Sequence, residues 1–252
     1  MAVVNRLGKG RKLVILQESI QMKIPFLPLI LAVFLVLAGC ENAPKEPELV
    51  QDASGKIIEG ISKNFYDNGK LRNEVPVKAG KRHGVAREYY ENGQLAAEIE
   101  YKEDVKNGWS KWYYQDGILY QEAEFVGNQK EGIEKKYYNT GELMAVLKWK
   151  GGKSLPGLVE YQLNGKEIKQ PNIVVQEKAG KWEIRLSNGA TNVKYYQGIL
   201  NADEPFDESK FELLPSNDGV AFVAKSDELL NVIAVRRSNM KNPQILLFNQ
   251  KP

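Results

Sequence analysis

The feature that most constrains this chain is a step of 24 residues. Asn68-Gly69, Asn92-Gly93, Asp116-Gly117, Thr140-Gly141 and Asn164-Gly165 place a turn dipeptide at that interval, and Gly60, Gly84, Gly108 and Gly132 keep the same step. An aromatic pair stands before each of the first four turns (Phe65-Tyr66, Tyr89-Tyr90, Tyr113-Tyr114, Tyr137-Tyr138), and a leucine follows each (Leu71, Leu95, Leu119, Leu143). Several registers sharing one period mark a repeat array, whose units bury apolar surface mainly against their neighbours. A fifth unit is degenerate: Tyr161 and Gly165 remain, but Pro156-Gly157 breaks the pattern.

Within a unit, aromatic and β-branched residues flank a two-residue turn, which is the signature of a β-hairpin. Asn-Gly or Asp-Gly at that place favours a type I′ turn, and the turn sets the register. The reading predicts Tyr90 opposite Leu95, Glu88 opposite Ala97, Arg87 opposite Glu98 and Gly84 opposite Tyr101. One face then collects Tyr66/Leu71, Tyr90/Leu95, Tyr114/Leu119 and Tyr138/Leu143. The same face sets Gly84, Gly108 and Gly132 against the rings of Tyr101, Phe125 and Trp149, as large rings do over strand glycines. The other face pairs Lys63 with Glu74, Arg87 with Glu98 and Lys111 with Glu122, and such cross-strand charge pairs contribute roughly 0.2–1 kcal/mol each.

Repeats of the form Tyr-Tyr-x-Asn-Gly-x-Leu-x-x-Glu, followed by a loop and a glycine, resemble MORN-variant repeats over about residues 55–168. Bacterial proteins carrying them are often grouped under a YwqK-type antitoxin label. The resemblance therefore implies, as one functional expectation, an antitoxin-like or immunity-like protein that binds a partner toxin. It is specific for architecture and poor for activity, because unrelated functions share one repeat.

From about residue 169 the pattern changes. Ile173-Val174-Val175, Trp182 to Leu186, Val193 to Tyr196, Val220 to Ala224, Val232 to Val235 and Ile245 to Phe248 read as short strands. Turn signals at Ala179-Gly180, Asn188-Gly189, Pro215 to Gly219 and Asn242-Pro243 separate them. Strands at this spacing predict a small β-sandwich-like domain over residues 169–252. The fold class is thus all-β: an array of 24-residue hairpins in one elongated antiparallel sheet, then a second β domain.

The N-terminus reads as an address. Residues 1–39 hold five basic residues and one acid, so of the chain's 35 Lys+Arg and 32 Asp+Glu, 30 and 31 follow, a remainder of −1. From Ile24 to Gly39 run 16 uncharged residues, short for the roughly 20 that a spanning helix needs. A basic residue, an apolar core and small residues before a cleavage site describe a signal peptide, here residues 1–39, with Met22-Lys23 able to open a compact version of it. Its ending, Leu37-Ala38-Gly39-Cys40, resembles the lipobox of bacterial lipoproteins. That resemblance implies cleavage before Cys40, lipid on its thiol and a membrane anchor in the bacterial cell envelope, at the outer membrane, facing periplasm or surface. Residues 40–54, polar and proline-containing, read as a tether.

Composition excludes more than it assigns. With one cysteine and one histidine, the chain lacks the ligands for a Cys/His zinc site and the second cysteine for a disulfide. His83 sits in a connector where the equivalent positions are Asn107 and Glu131. Glu74, Glu98 and Glu122 form an acid row spaced roughly 9–10 Å, around the upper limit for an inverting glycosidase pair and far beyond a retaining one; each also has a basic neighbour, which disfavours a protonated acid. Near-neutral charge argues against nucleic acid as a partner. No catalytic residue, metal or cofactor is therefore assigned. The candidate binding surface is aromatic: Tyr89, Trp109, Trp112, Tyr113 and Tyr137, either a stacking platform for sugars or peptides or ordinary cross-strand packing. The expectation is a non-catalytic, lipid-anchored scaffold for an envelope protein partner, with a glycan or cell-wall module as the alternative.

Overall fold

A computed structural model describes residues 48–250 apart from residue 227. The expected signal peptide, the lipobox-like residues Leu37, Ala38, Gly39 and Cys40, and the first part of the expected tether lie outside the described residues. Among the described residues there is no α-helix; one 3₁₀ turn, Glu208–Lys210, interrupts an otherwise β architecture.

The repeats form a single 12-stranded antiparallel sheet. Its strands are β1 (Val50–Gln51), β2 (Ile57–Phe65), β3 (Leu71–Lys78), β4 (Lys81–Arg82), β5 (Gly84–Tyr89), β6 (Leu95–Lys102), β7 (Val105–Tyr113), β8 (Leu119–Val126), β9 (Gln129–Tyr137), β10 (Leu143–Lys150), β11 (Lys153–Ser154) and β12 (Val159–Glu160). Strands follow sequence order, with β4 set on β3 and β12 on β10. β1 belongs to the stretch 40–54 read as a tether, yet it pairs with β2 and starts the sheet.

The ladder carries the expected pairs Arg87–Glu98, Glu88–Ala97, Gly84–Tyr101, Gly108–Phe125 and Gly132–Trp149. The turns differ from expectation. A type I′ turn needs positive φ at both central residues, but only the glycine has it: Gly93 lies at φ 93°, and Asn92 is not in that region. The N–H of Gly93 donates to the carbonyl of Tyr90, and that of Tyr90 to the carbonyl of Gln94, both at 2.8 Å. This is a three-residue loop with glycine at a G1 bulge, and Asn92 serves it through its side chain, Oδ1 accepting from the Gln94 N–H at 2.9 Å. Asn68, Asp116 and Asn164 do the same. The bulge absorbs one residue, so Leu95 pairs with Tyr89 and not with Tyr90, as Leu71 pairs with Phe65, Leu119 with Tyr113 and Leu143 with Tyr137.

The second glycine series also sits at irregularities. Between Ile99/Ser110 and Tyr101/Lys106 the ladder gains residues on β7, and Gly108 there adopts φ +118°. Positive φ, as well as the ring across the strand, explains a glycine at that place.

Beyond the array, two four-stranded sheets pack together. One holds β13 (Ile173–Lys178), β14 (Lys181–Leu186), β17 (Ser216–Asn217) and β18 (Val220–Ala224); the other holds β15 (Lys194–Gln197), β16 (Glu212–Leu214), β19 (Leu230–Arg237) and β20 (Pro243–Gln250). Ile184, Leu186 and Ala221 from the first meet Tyr195, Val232 and Ala234 from the second in a core exposed by 0 % at each. The second sheet's outer face is covered too: Phe206 and Phe211, from the segment after β15, pack on Tyr196, Ile233 and Ile245. The short strands β16 and β17 were not foreseen; two or three residues give too little alternation to register.

A buried polar cluster joins these sheets to the array. Asn242 is 1 % exposed; its Nδ2 donates to Glu160 Oε1 at 2.8 Å, and its Oδ1 accepts from Lys136 Nζ at 2.7 Å. Ser238 Oγ donates to the same Glu160 oxygen at 2.5 Å.

Candidate functional site

The two faces of the repeat sheet differ. Ala86, Ile99, Ala97, Ser110, Ala123, Phe125, Ala145 and Leu147 are buried, and strand alternation puts them all on one side, the packed face. The other side carries an unbroken row of charge. Along the ladder Lys63 faces Glu74, Glu74 faces Arg87, Arg87 faces Glu98, Glu98 faces Lys111, Lys111 faces Glu122 and Glu122 faces Lys135. Arg87 bridges two repeats, with Nε 3.1 Å from Glu98 and Nη1 3.4 Å from Glu74. Burial works against its charge, but the bonds to Glu98 and Glu74 outweigh it and raise its pKa. Lys135 lies 3.5 Å from Glu122.

Tyrosines lock the row in place. Tyr89 donates to Glu74 at 3.0 Å, Tyr113 to Glu98 at 2.9 Å and Tyr137 to Glu122 at 2.8 Å, each reaching one strand back. Burial, and then the carboxylate bond, push Tyr113 and Tyr137 up to about 12, and raise Tyr89 in the same direction. The second tyrosine of each pair works on the packed face. Tyr66, Tyr90, Tyr114 and Tyr138 donate to the backbone carbonyls of Tyr89, Tyr113, Tyr137 and Tyr161, at 2.6 to 2.9 Å. The aromatic pair is thus a two-way clasp: one hydroxyl holds the preceding unit and the other the next. Phe65 needs no hydroxyl, because the residue 15 before it is Val50 and not a glutamate.

Of the five aromatic candidates, Tyr89, Trp109, Tyr113 and Tyr137 share the charged face. Trp112 does not. It alternates with Lys111 and Tyr113, so it points to the packed face, where its ring meets Phe125 edge-on at 6.2 Å. Trp109, in contrast, is 48 % exposed. Three apolar residues that the sequence reading passed over accompany it on the charged face: Phe65, 59 % exposed, Val126, 53 %, and Ile133, 37 %. A signal for Ile133 existed, since Ile61, Val85, Trp109 and Ile133 follow one another at the repeat step. Every exposed large apolar residue from β2 to β10 is on this face. His83 stays in the connector, its N–H donating to the Pro76 carbonyl. Among the described residues no three His, Cys, Asp or Glu side chains gather as a metal site.

On this face the acids of the row are engaged by Arg87, Lys135 and three phenols. Residues 58–79, 82–103, 106–126 and 130–150 match the family described as the MORN repeat variant. The chain carries four MORN-type repeats. The matches fall on the four hairpins from β2 to β10 and span under half of the chain, leaving the C-terminal sheets outside them. Repeats of this type are typically non-enzymatic interaction modules. No curated protein matches the chain.

Proposed function

We propose that the charged face of the MORN-type sheet is a protein-docking scaffold, and that lipid on Cys40 holds it at a bacterial envelope membrane. The observation that carries the docking is the column of exposed apolar side chains, with Trp109 and Ile133 one repeat apart, beside a charge row of alternating sign. Exposed apolar groups in a polar frame are the ordinary composition of a protein interface. A row of alternating charge adds little long-range field, so a partner is selected by shape and apolar contact more than by net charge. The lipobox-like Leu37-Ala38-Gly39-Cys40 supports the anchor, and several acyl chains anchor stably where one is marginal.

Two measurements test this. Affinity capture from membranes is run with the wild-type chain and with a Trp109→Asp/Ile133→Asp variant of unchanged melting temperature. The partner is expected with the first and absent from the second; equal capture by both overturns the docking face. Palmitate labelling is expected to vanish in Cys40→Ala, and full labelling of that variant overturns the anchor.

A second reading is favoured by the tyrosine row. Tyr89, Tyr113 and Tyr137 are pinned by their hydroxyls at steps of two strands, roughly 9–10 Å, a spacing suited to stacking a polymer of sugars. Retention on cell-wall polysaccharide, lost in Tyr113→Ala, would support the glycan reading over the protein one.

A further inference from the structure

We infer that the cleft between the end of the array and the C-terminal sheets receives the C-terminal residue of a peptide chain, through its α-carboxylate and the adjoining amide N–H. The cleft measures about 130 Å³, roughly tenfold the space that one water needs. Two polar groups that line it are unusual. Gln244 is 2 % exposed, yet only its amide nitrogen has a partner, Gln170; its Oε1 has none. Arg236 spends Nε on the Arg237 carbonyl at 2.9 Å and Nη2 on Asn239, while its buried Nη1 has no partner. A buried donor or acceptor left without a partner costs about 1–3 kcal/mol, and a charged one more, so a ligand that satisfies both gains affinity from each.

The pair of orphans specifies the ligand. Arg236 calls for an anionic acceptor, and Gln244, which faces it across the β19–β20 ladder, offers its Oε1 to a neutral donor. Lys169 adds a second positive charge at the rim; Glu160 also lines the cleft, but its Oε1 is occupied by Ser238 and Asn242. The balance of these side chains is one positive charge, which suits a monoanion. An inorganic anion would answer Arg236 and oppose the Gln244 oxygen; a cation would answer Gln244 and oppose Arg236 and Lys169. A peptide terminus carries both groups, one Cα apart, and Ile168, Pro171 and Met240 give its side chain an apolar wall. The cleft is separate from the docking face of the repeats, so failure of either assignment leaves the other standing.

The test uses short peptides bearing an N-terminal fluorophore and ending in Ala, Leu, Phe, Lys or Glu, each as free acid and as carboxamide, with the full chain and anisotropy as the readout. Free acids with an apolar last residue are expected to bind at least tenfold more tightly than their amides. Arg236→Gln is expected to erase that difference. Because Arg236 also braces its own turn, Met240→Trp provides a second variant that fills the cleft without touching those bonds, and it is expected to abolish binding at unchanged melting temperature. Equal binding of acids and amides, no binding of any peptide, or undiminished binding by a stably folded Met240→Trp would each overturn the assignment.

Discussion

At the scale of single residues, the repeat is written in glycines and tyrosines that do different jobs. Gly93 has φ 93°, and a Cβ built there meets nothing within 4 Å. Any cost of substitution is therefore conformational and not steric. Gly93→Ala is expected to lose about 1–2 kcal/mol, and Gly93→Asn distinctly less, since asparagine tolerates positive φ; urea unfolding of the two variants separates them, and equal losses would refute a purely backbone cause. Gly60 has a different limit. There a Cβ would stand 3.0 Å from the Glu48 carbonyl oxygen and the Leu49 Cα, both backbone, so alanine must displace the start of the sheet as well as strain φ. The tyrosines make a pH prediction. Tyr113 and Tyr137 are held near 12 in the fold, against about 10 in an unfolded chain. A raised folded pKa means that the folded state keeps its protons longer, so stability is intact below pH 10 and declines as pH rises toward 12. Unfolding midpoints measured across that window should fall, and Tyr113→Phe/Tyr137→Phe should fall less steeply than wild type.

At the scale of the hairpin, one cation can serve two units, and Arg87 is where this is clearest. Its fork spans Glu74 of one repeat and Glu98 of the next, and Tyr89 donates to the same Glu74 oxygen. Arg87→Met should cost about 1 kcal/mol, shrinking as salt is added. Arg87→Lys should recover only part of it, because an ammonium is a point donor without the planar fork. A double-mutant cycle with Glu98→Gln measures the coupling, and a coupling near zero would mean that the charge row is ornament. The row was legible before any coordinates, because a period of 24 and a side-chain period of 2 leave opposite residues on one face. What the sequence concealed were the irregularities. Asn-Gly signals a turn, but whether Asn92 uses its backbone at positive φ or its side chain as an acceptor is decided by one extra loop residue, and that residue moved Leu95 from Tyr90 to Tyr89. Trp109 and Trp112 look alike in sequence, both aromatic and in one strand; three positions apart, they are on opposite faces. Asn188-Gly189 repeats the same turn chemistry, with Asn188 Oδ1 accepting from the Ala190 N–H, but the chain after it leaves for the other sheet. Local turn signals do not say which strand pairs next.

At the scale of the whole described molecule, a buried polar cluster sits at the joint between the array and the C-terminal sheets, and Lys150 and Lys153 add exposed contacts to Asp203 and Asp207. Glu160 and Asn242 are 82 residues apart, and Lys136 and Asn242 are 106 apart, so no local pattern could announce them. Asn242 sat in a dipeptide that reads only as a turn. Its amide is the link: Oδ1 accepts a hydrogen bond from Lys136 and Nδ2 donates one to Glu160, so a neutral group is interposed between a half-buried cation and a buried anion. Burial lowers the pKa of Lys136, which makes its bond to Asn242 more important to keeping the charge inside. Removing the amide leaves Lys136 without its acceptor and Glu160 with one donor fewer. Asn242→Ala should therefore cost about 2–3 kcal/mol, the upper part of the range for leaving polar partners without a hydrogen bond. The loss should be localised. The array has its own ladder and clasps, and the C-terminal sheets have their own core around Ile184, Tyr195 and Val232, so neither needs the other for its main-chain hydrogen bonds. Calorimetry of the wild type should give one transition, with array and sheets unfolding together; Asn242→Ala should split it into two, the fluorescence of Trp109 and Trp112 following one and that of Trp182 the other. A single transition merely shifted downward would show that the apolar surface at the joint, and not the polar cluster, couples the two.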